Sequence, residues 1–366
     1  MSDQIPMTKS QIPAGHSLEF GIWNLGFQVL WRLTILVLPW QTRWIFSEGT
    51  IGGFSWEQGT VAVYASWGVL LLTIVAGFVT ERTRHSKSGT GNSEFGDDTR
   101  LKFPVPSSML LAALVVLLGI SILTSSRTAT LLWWSHVAIL GFFAWTLMRS
   151  RVEARSVAFW FALSLVPQAM LGIWQYADQN VAGSTILGIA TQQPWVSGVS
   201  VVEHGLYRVL RAYGGFPHPN IFGGWLAVGL TLLPALARRS RSNAETLGLA
   251  ACAALFSLAL ALTFSRGAWA AAILGLILAA WTSLGLRAPR SQQPASPIDR
   301  QAAALVFIAI LIATFAGVAS ELDHVAARFR PGERLERWSL EQRKTALEEG
   351  MQVWLRHPIA GWGPGA

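Results

Sequence analysis

The fold of this chain is decided by residues 246–286, which read TLGLAACAALFSLALALTFSRGAWAAAILGLILAAWTSLGL. Two apolar runs, 246–263 and 267–286, are separated only by residues 264–266. A run of about 17–25 apolar residues is long enough to cross a bilayer as an α-helix. The stretch therefore predicts two antiparallel membrane-spanning helices, joined by a tight turn that carries an arginine.

The rest of the chain repeats this apolar pattern. Of its 366 residues, 52% are hydrophobic and only 13% are charged, against about 25% charged residues in soluble domains. With no soluble segment and no internal repeat visible, we predict an all-α polytopic membrane protein that forms a single transmembrane domain over residues 1–366. Nine runs are predicted to span the membrane: 25–41, 61–79, 107–123, 130–148, 156–175, 220–237, 246–263, 267–286 and 302–319.

The distribution of Lys and Arg predicts the orientation of these helices. Alternate connections hold fifteen basic residues on one side and five on the other, counted before the last segment. Because basic loops stay in the cytoplasm, the N-terminus and the polar loop 80–106 are predicted to be cytoplasmic, whereas loops 176–219 and 320–366 face outward. The net charge of +8 lies between apolar runs rather than along one face, which argues against a nucleic-acid partner.

The first motif is Ser265-Arg266-Gly267, at the predicted turn between two spans. An arginine costs about 2.5–3.5 kcal/mol at the bilayer centre and less near the interface. Either Arg266 extends to the surface and only marks a helix end, or its guanidinium donates paired hydrogen bonds to phosphate oxygens. Gly267 is expected to let the backbone turn tightly.

The second motif is RAYGGFPHPN, residues 211–220. Pro217 and Pro219 end any helix, and Asn220 is expected to cap the helix that follows. The N-terminus of that helix carries partial positive charge and attracts anions. The motif is therefore either a loop-to-helix junction with a solvated Arg211 or part of an anion site.

The third motif lies in the tail. Residues 333–350, which include Arg343, are predicted to form an amphipathic helix on the outer surface, because they are too charged to span. Gly361 and Gly363 follow in a glycine-rich end that would let the backbone approach a ligand. The alternative is a surface helix with solvated charges, followed by a turn. The seven histidines show no metal-ligand spacing, so neither a metal nor a cofactor is predicted.

In their order, spacing and shared outward face, the three motifs resemble the O-antigen ligase/O-antigen polymerase superfamily of bacterial inner-membrane glycosyltransferases. The resemblance covers about residues 200–366. Its matching elements are Arg211-x-x-Gly-x-Phe-x-x-Pro-Asn220, Ser265-Arg266-Gly267 at the head of a span, and Arg343 followed by His357-Pro358-x-x-Gly361-x-Gly363.

The resemblance implies transfer of a glycan from an undecaprenyl-diphosphate carrier to a hydroxyl of an acceptor glycolipid, glycan or protein. The reaction would take place at the periplasmic face of the inner membrane, without a nucleotide-sugar or a metal. Arg266 and Arg343 are implied as the catalytic residues that hold the diphosphate. The implied substrate-binding residues are Arg211, Asn220, Ser265, Gly361 and Gly363. A histidine base is implied a few dozen residues beyond Arg343, followed by further spans, which predicts that the chain is C-terminally truncated.

Other functions remain open at this point. O-antigen ligases, O-antigen polymerases and protein O-oligosaccharyltransferases share these motifs, and the sequence does not separate them. A protein of a different class, an anion or small-molecule transporter, would also use outward-facing arginines. Transporters typically show repeat symmetry, broken helices at the midplane and charged residues within their spans. Here only Arg32 lies inside a predicted span, and no repeat is visible. The transferase is therefore the favoured hypothesis.

Overall fold

The computed structural model describes residues 14–51, 54–55, 60–87, 128–204, 207–283, 297–329 and 334–358. This part of the chain is mostly helical, which confirms the all-α class. Its short strands form three separate two-stranded antiparallel ladders. The predicted span 107–123 and two predicted substrate-binding residues, Gly361 and Gly363, lie outside the described residues.

The helices and strands are numbered in chain order. The helices are α1 (Ala14–Val37), α2 (Ser66–Lys87), α3 (Thr128–Arg149), α4 (Ala154–Asp178), α5 (Pro219–Ala237), α6 (Asn243–Leu262), α7 (Arg266–Ser283), α8 (Pro297–Ser320), α9 (Leu322–Ala327) and α10 (Arg334–Arg356). The strands are β1 (Arg43–Ser47), β2 (Thr50–Ile51), β3 (Phe54–Ser55), β4 (Val61–Tyr64), β5 (Val201–His204) and β6 (Tyr207–Leu210). The paired strands are β1 with β4, β2 with β3, and β5 with β6.

Five helices in the described ranges are long and apolar enough to cross a membrane. They are Leu131–Arg149 within α3, Arg300–Ser320 within α8, and the whole of α4, α5 and α6. Shorter apolar helices cover Gly21–Val37 and Arg266–Trp281. The chain is thus a multi-pass membrane protein, but these helices do not support the predicted count of nine spans.

The second predicted span, 61–79, differs from the structure at its start. Residues Val61–Tyr64 form β4, which pairs antiparallel with β1, and the β-branched side chains of this segment suit a strand. Helix α2 then starts at Ser66 and continues to Lys87. Residues 80–87, predicted to belong to the cytoplasmic loop 80–106, are therefore helical.

The first predicted span, 25–41, is also shifted. Helix α1 starts earlier, at Ala14, and ends at Val37. The early end follows from Pro39, because a proline disfavours the helical conformation in the residue before it. Strand β1 begins four positions beyond Pro39, at Arg43, so the chain turns away from the helix axis at this point.

The largest part of the core lies where α4, α5 and α6 meet. Leu165 of α4, Phe222 of α5 and Phe256 of α6 are completely buried there. Small residues allow the neighbouring helices to approach closely: a Cβ on Gly223 of α5 would lie only 2.7 Å from the Cβ of Ala268 on α7. Close packing of this kind is a main source of helix association inside membranes, where apolar burial gives little driving force.

Replacing Gly223 by alanine is expected to separate α5 from α7. The added methyl group would collide with Ala268, which has no rotamer to change, and overpacking of this kind costs about 1–3 kcal/mol. The matched control is Gly224→Ala, because a Cβ there meets nothing within 4 Å while the gain in helix propensity is the same. In thermal unfolding of the purified protein in detergent, Gly223→Ala should melt below Gly224→Ala. Equal melting temperatures would contradict the close packing of the two helices.

Candidate functional site

Four arginines from four segments surround two adjoining cavities at one end of the helix bundle. Arg211 follows β6, Arg266 is the first residue of α7, Arg328 follows α9, and Arg343 lies on α10. The first cavity, of about 200 Å³, is lined by Arg211, Arg328 and Arg343. The second, of about 490 Å³, is lined by Arg266, Arg328 and Arg343. Because Arg328, Arg343 and Asn220 line both, the two cavities share a wall.

Arg211 is held rigidly in this wall. Its side chain is only 5% exposed, its Nε donates to the carbonyl oxygen of Thr263 at 2.6 Å, and its Nη2 donates to Oδ1 of Asn220 at 2.7 Å. The next residue, Ala212, donates its backbone N–H to the carbonyl oxygen of Leu262 at 2.9 Å. The start of the second motif is therefore fixed to the end of α6, directly before the first motif.

Each arginine in this cluster destabilises the charged form of its neighbours. Burial, together with the positive charges of Arg328, Arg343 and Arg266, lowers the pKa of Arg211 to about 9. Burial and the charges of Arg266 and Arg343 likewise lower the pKa of Arg328 to about 10. Both side chains still carry their charge at neutral pH. A bound anion would relieve this mutual repulsion, so the cluster favours a ligand with several negative charges.

Two reciprocal hydrogen bonds join the tail to the turn before α7. Arg266 Nη1 donates to the carbonyl oxygen of Arg328 at 2.8 Å, and Arg328 Nε donates to the carbonyl oxygen of Phe264 at 3.2 Å. Phe264 has a φ of 48°, so Phe264 makes the tight turn that we expected of Gly267. Gly267 instead lies inside α7 and lines the second cavity. A Cβ there would meet no protein atom within 4 Å, so a side chain would extend into space that is otherwise open.

Ser265 caps α7 and lines the second cavity. Its side chain is nearly buried, and its Oγ accepts a hydrogen bond from the N–H of Ala268 at 3.4 Å, as N-terminal capping serines do. Gly267 and Ala268 line the same cavity. The positive end of the α7 dipole is therefore next to Arg266, where it adds to the attraction for an anion.

The start of α5 differs from the prediction that Asn220 caps this helix. The cap is His218, whose Nδ1 accepts from the backbone N–H of Asn220 at 3.0 Å. Pro219 takes the first helical position, where its missing N–H removes no hydrogen bond. Asn220 lies within the first turn and uses its side-chain oxygen to accept from Arg211. Its place in the site is therefore that of a residue that positions an arginine.

His218 has a structural role in this arrangement. Burial, together with the charges of Arg211 and Arg343, lowers the pKa of His218 to about 4, so the ring is neutral at neutral pH. Because Nδ1 accepts from a backbone N–H, the ring proton lies on Nε2, which donates to Oγ of Ser200 at 2.9 Å. With both nitrogens engaged, His218 is poorly suited to accept a proton from a substrate.

His218→Asn is expected to flatten the dependence of stability on pH. Since the pKa is about 4 in the folded protein and 6.5 ordinarily, the unfolded chain takes up the proton first, and the wild type loses stability as the pH falls from about 6.5 toward 4. Asparagine keeps an oxygen that can cap α5 but does not titrate. Melting temperatures in detergent across this pH range should fall more steeply for the wild type. Parallel curves for the two proteins would contradict the low pKa.

Two buried glutamines of α4 hold the glycine pair of the second motif. Gln168 Oε1 accepts from the N–H of Gly215 at 2.7 Å, and Gln175 Nε2 donates to the carbonyl oxygen of Gly214 at 2.9 Å. Gly214 has a φ of 59°, and a Cβ on Gly215 would lie 2.6 Å from Gln168 Oε1. The two glycines are thus needed for docking on α4. Neither glutamine was predicted as a site residue, although amides inside an apolar span are costly unless they are hydrogen-bonded.

The third motif contributes Arg343. It lies on the exposed helix α10, within the region predicted to be amphipathic. Within the described ranges its guanidinium has no hydrogen bond or ion pair to a protein group, so the donors of this side chain are available to a ligand in either cavity. Arg328 was not predicted as a site residue, and the signal for it in the sequence was its place in a basic tail that is predicted to face outward. No metal-binding group of His, Cys, Asp or Glu was found among the described residues.

Of the predicted site residues, the structure thus brings together Arg211, Asn220, Ser265, Arg266 and Arg343. The fold and the site together define the class of protein: a multi-pass helical membrane protein with an arginine-lined site at one end of its helix bundle. Residues 250–366 match the family model of the O-antigen ligase domain. The match of this segment supports membership of the O-antigen ligase superfamily. No curated protein and no solved structure matches the chain.

Proposed function

We propose that the protein transfers a glycan from an undecaprenyl-diphosphate carrier to a hydroxyl of an acceptor, as an O-antigen ligase-like glycosyltransferase. The observation that carries this proposal is the convergence of Arg211, Arg266, Arg328 and Arg343 on two adjoining cavities. A diphosphate offers several oxygens that each accept from a guanidinium fork. The match of residues 250–366 to the O-antigen ligase domain supports a lipid-linked glycan as its source.

In the proposed reaction, the acceptor oxygen forms a bond to the anomeric carbon of the donor glycan. The bond from that carbon to the diphosphate oxygen breaks, and its electron pair leaves with the diphosphate. Arg266 and Arg343 stabilise the negative charge that develops on this leaving group. Stabilisation of developing charge by fixed donors is usually the largest single contribution to catalysis. The acceptor proton passes to a general base, a role that the family resemblance assigns to a histidine.

Arg211, Asn220 and Ser265 support the site in a different way. The Nε and Nη2 donors of Arg211 are already directed at Thr263 and Asn220, so Arg211 contributes chiefly its charge and the shape of the wall. Ser265 places Arg266 at the start of α7. Gly361 and Gly363 remain predicted substrate-binding residues.

The lipid carrier is proposed to reach the second cavity from the bilayer. Gly224 on α5 and Ala271 on α7 line this cavity beside Arg266, and both residues belong to apolar helices. The proposed location is the bacterial inner membrane, with nine spans, a cytoplasmic N-terminus and the site at the periplasmic face. This orientation rests on the distribution of Lys and Arg.

A transporter is the alternative of a different class. Arg32 is the only charged residue inside a predicted span, and a transporter could use such a residue to bind an anion within the membrane. Arg32 donates from Nη1 to the carbonyl oxygen of Gln28 at 2.8 Å, and its guanidinium lies 4.9 Å from the ring centre of Trp31. These contacts account for an arginine at this place in the helix without a role in transport. They give no support to a path for an anion through the helices.

Deletion of the gene in its host tests the proposal. A transferase predicts that undecaprenyl-linked glycan accumulates in cell extracts, since its acceptor reaction is blocked, and that a plasmid copy of the gene reverses this. The glycosylated product that disappears, a glycolipid, a longer polymer or a glycoprotein, separates ligase, polymerase and protein O-oligosaccharyltransferase. Unchanged carrier levels together with lost uptake of a small anion would favour the transporter instead.

A further inference from the structure

The first cavity has a lining that the diphosphate alone does not explain. On one wall, α10 presents Trp338 and Gln342, which lie one turn apart on the same face of the helix. The segment leading into the β5–β6 hairpin contributes Ser200 to the lining of the same cavity, and β5 contributes Glu203. An apolar ring, a carboxylate, an amide and a hydroxyl around one cavity are a combination suited to a ligand with flat apolar faces and many hydroxyl groups.

We infer that the first cavity binds the sugar ring attached directly to the diphosphate of the donor. The inference rests on the proposed function and adds to it a place for the sugar. Trp338 is 58% exposed, so its ring is free to cover a face of the sugar. Glu203 accepts hydrogen bonds from sugar hydroxyls, and Gln342 both donates and accepts.

The relation between the two cavities supports this assignment. They share Asn220, Arg328 and Arg343, and in the donor a single oxygen joins the sugar to the diphosphate. A diphosphate held by the shared arginines therefore places the first sugar in the adjoining cavity. Its volume of about 200 Å³ is below the range of about 300–1,000 Å³ for drug-sized ligands, which suits one ring rather than an oligosaccharide.

The carboxylate of Glu203 is held in place by the hairpin. Glu203 lies opposite Arg208 in the antiparallel register of β5 and β6, and Arg208 Nε lies 3.5 Å from Glu203 Oε1. This ion pair keeps the side chain on the cavity wall without filling the cavity. Trp338 lies five positions before Arg343 on the same helix, so one rigid element presents both the sugar contact and a phosphate contact.

Binding of two probes to the purified protein in nanodiscs tests the inference. The probes are undecaprenyl diphosphate and undecaprenyl-diphospho-N-acetylglucosamine, which share the lipid and the diphosphate and differ in the sugar and in the ionisable phosphate oxygen that the sugar replaces. Each variant is therefore compared with the wild type for the same probe. Trp338→Ala is expected to weaken binding of the sugar-bearing probe by about three- to tenfold and to leave the sugar-free probe within twofold. Glu203→Gln is expected to act in the same direction, and Trp338→Phe to retain most of the binding because it keeps an aromatic ring.

Trp354→Ala is the matched control, because Trp354 is similarly exposed on the same helix, at 51%, and lines neither cavity. It should leave both affinities unchanged. Equal losses for the two probes in Trp338→Ala, or no loss for either, would overturn the sugar site while leaving the diphosphate site intact. In a transfer assay, an effect of Trp338→Ala that is confined to the KM of the acceptor would also overturn the sugar site. If the wild type bound neither probe, the proposed function itself would fail.

Discussion

Arg266→Ala is expected to lower glycan transfer by at least tenfold. Arg266 lines the second cavity at the start of α7, and the loss of one donor to a developing negative charge costs about 10²–10³ in rate. The measurement is the initial rate in proteoliposomes, with undecaprenyl-diphosphate glycan extracted from the host as donor. Full activity in this variant would remove Arg266 from the diphosphate site.

Two controls separate this chemical role from a structural one. Arg266→Lys keeps the positive charge but loses the forked pair of donors, so its rate should lie between those of the wild type and Arg266→Ala. Arg239→Ala removes an exposed arginine at the other end of α5 and should leave the rate unchanged. Because Arg266 also donates to the backbone of Arg328, melting temperatures of all variants are needed to normalise for folded protein.

Arg343→Ala is expected to lower transfer by at least tenfold without lowering stability. Arg343 is exposed on α10 and lines both cavities, so its removal breaks no hydrogen bond within the described part of the protein. The rate is measured in the same proteoliposomes, and the melting temperature in detergent. A normal rate would remove Arg343 from the site, whereas a large drop in melting temperature would assign it to folding.

Lys344→Ala is the matched control for Arg343. Lys344 is the next residue of α10, carries the same charge and pairs with Glu348 at 3.8 Å on the surface. Exposed pairs of this kind contribute little, and Lys344 lines neither arginine cavity. Transfer by this variant should match that of the wild type, which excludes an effect of net charge alone.

Apolar runs allowed most of the long helices to be predicted from sequence, because a span needs a minimum length of apolar residues whatever its neighbours are. The convergence of these motifs was also predictable. Two predicted spans separate residues 211–220 from Ser265-Arg266-Gly267, so the alternation of spans puts both motifs on the same side of the membrane. Strand β4 was not predictable in this way. Its apolar residues fit a helix as well as a strand, and only pairing with β1 decides between them.

The roles of individual side chains depended on partners far away in sequence. Asn220 has good capping propensity, yet it accepts from Arg211 and leaves the cap to His218, whose ring is fixed from the other side by Ser200. Arg328 enters the site because it donates to the backbone of Phe264, more than sixty positions away in the sequence. No local pattern around Arg328 encodes that contact.

The most direct test of the diphosphate site is equilibrium binding of radiolabelled undecaprenyl diphosphate to the purified protein in nanodiscs, with undecaprenol as the competing lipid. The two lipids share the hydrocarbon chain and differ in the negative charges that four arginines are proposed to hold. We expect saturable binding of the diphosphate that excess undecaprenol does not displace and that both Arg266→Ala and Arg343→Ala weaken by at least tenfold. Equal affinity for the two lipids, or unchanged binding in both variants, would contradict the account.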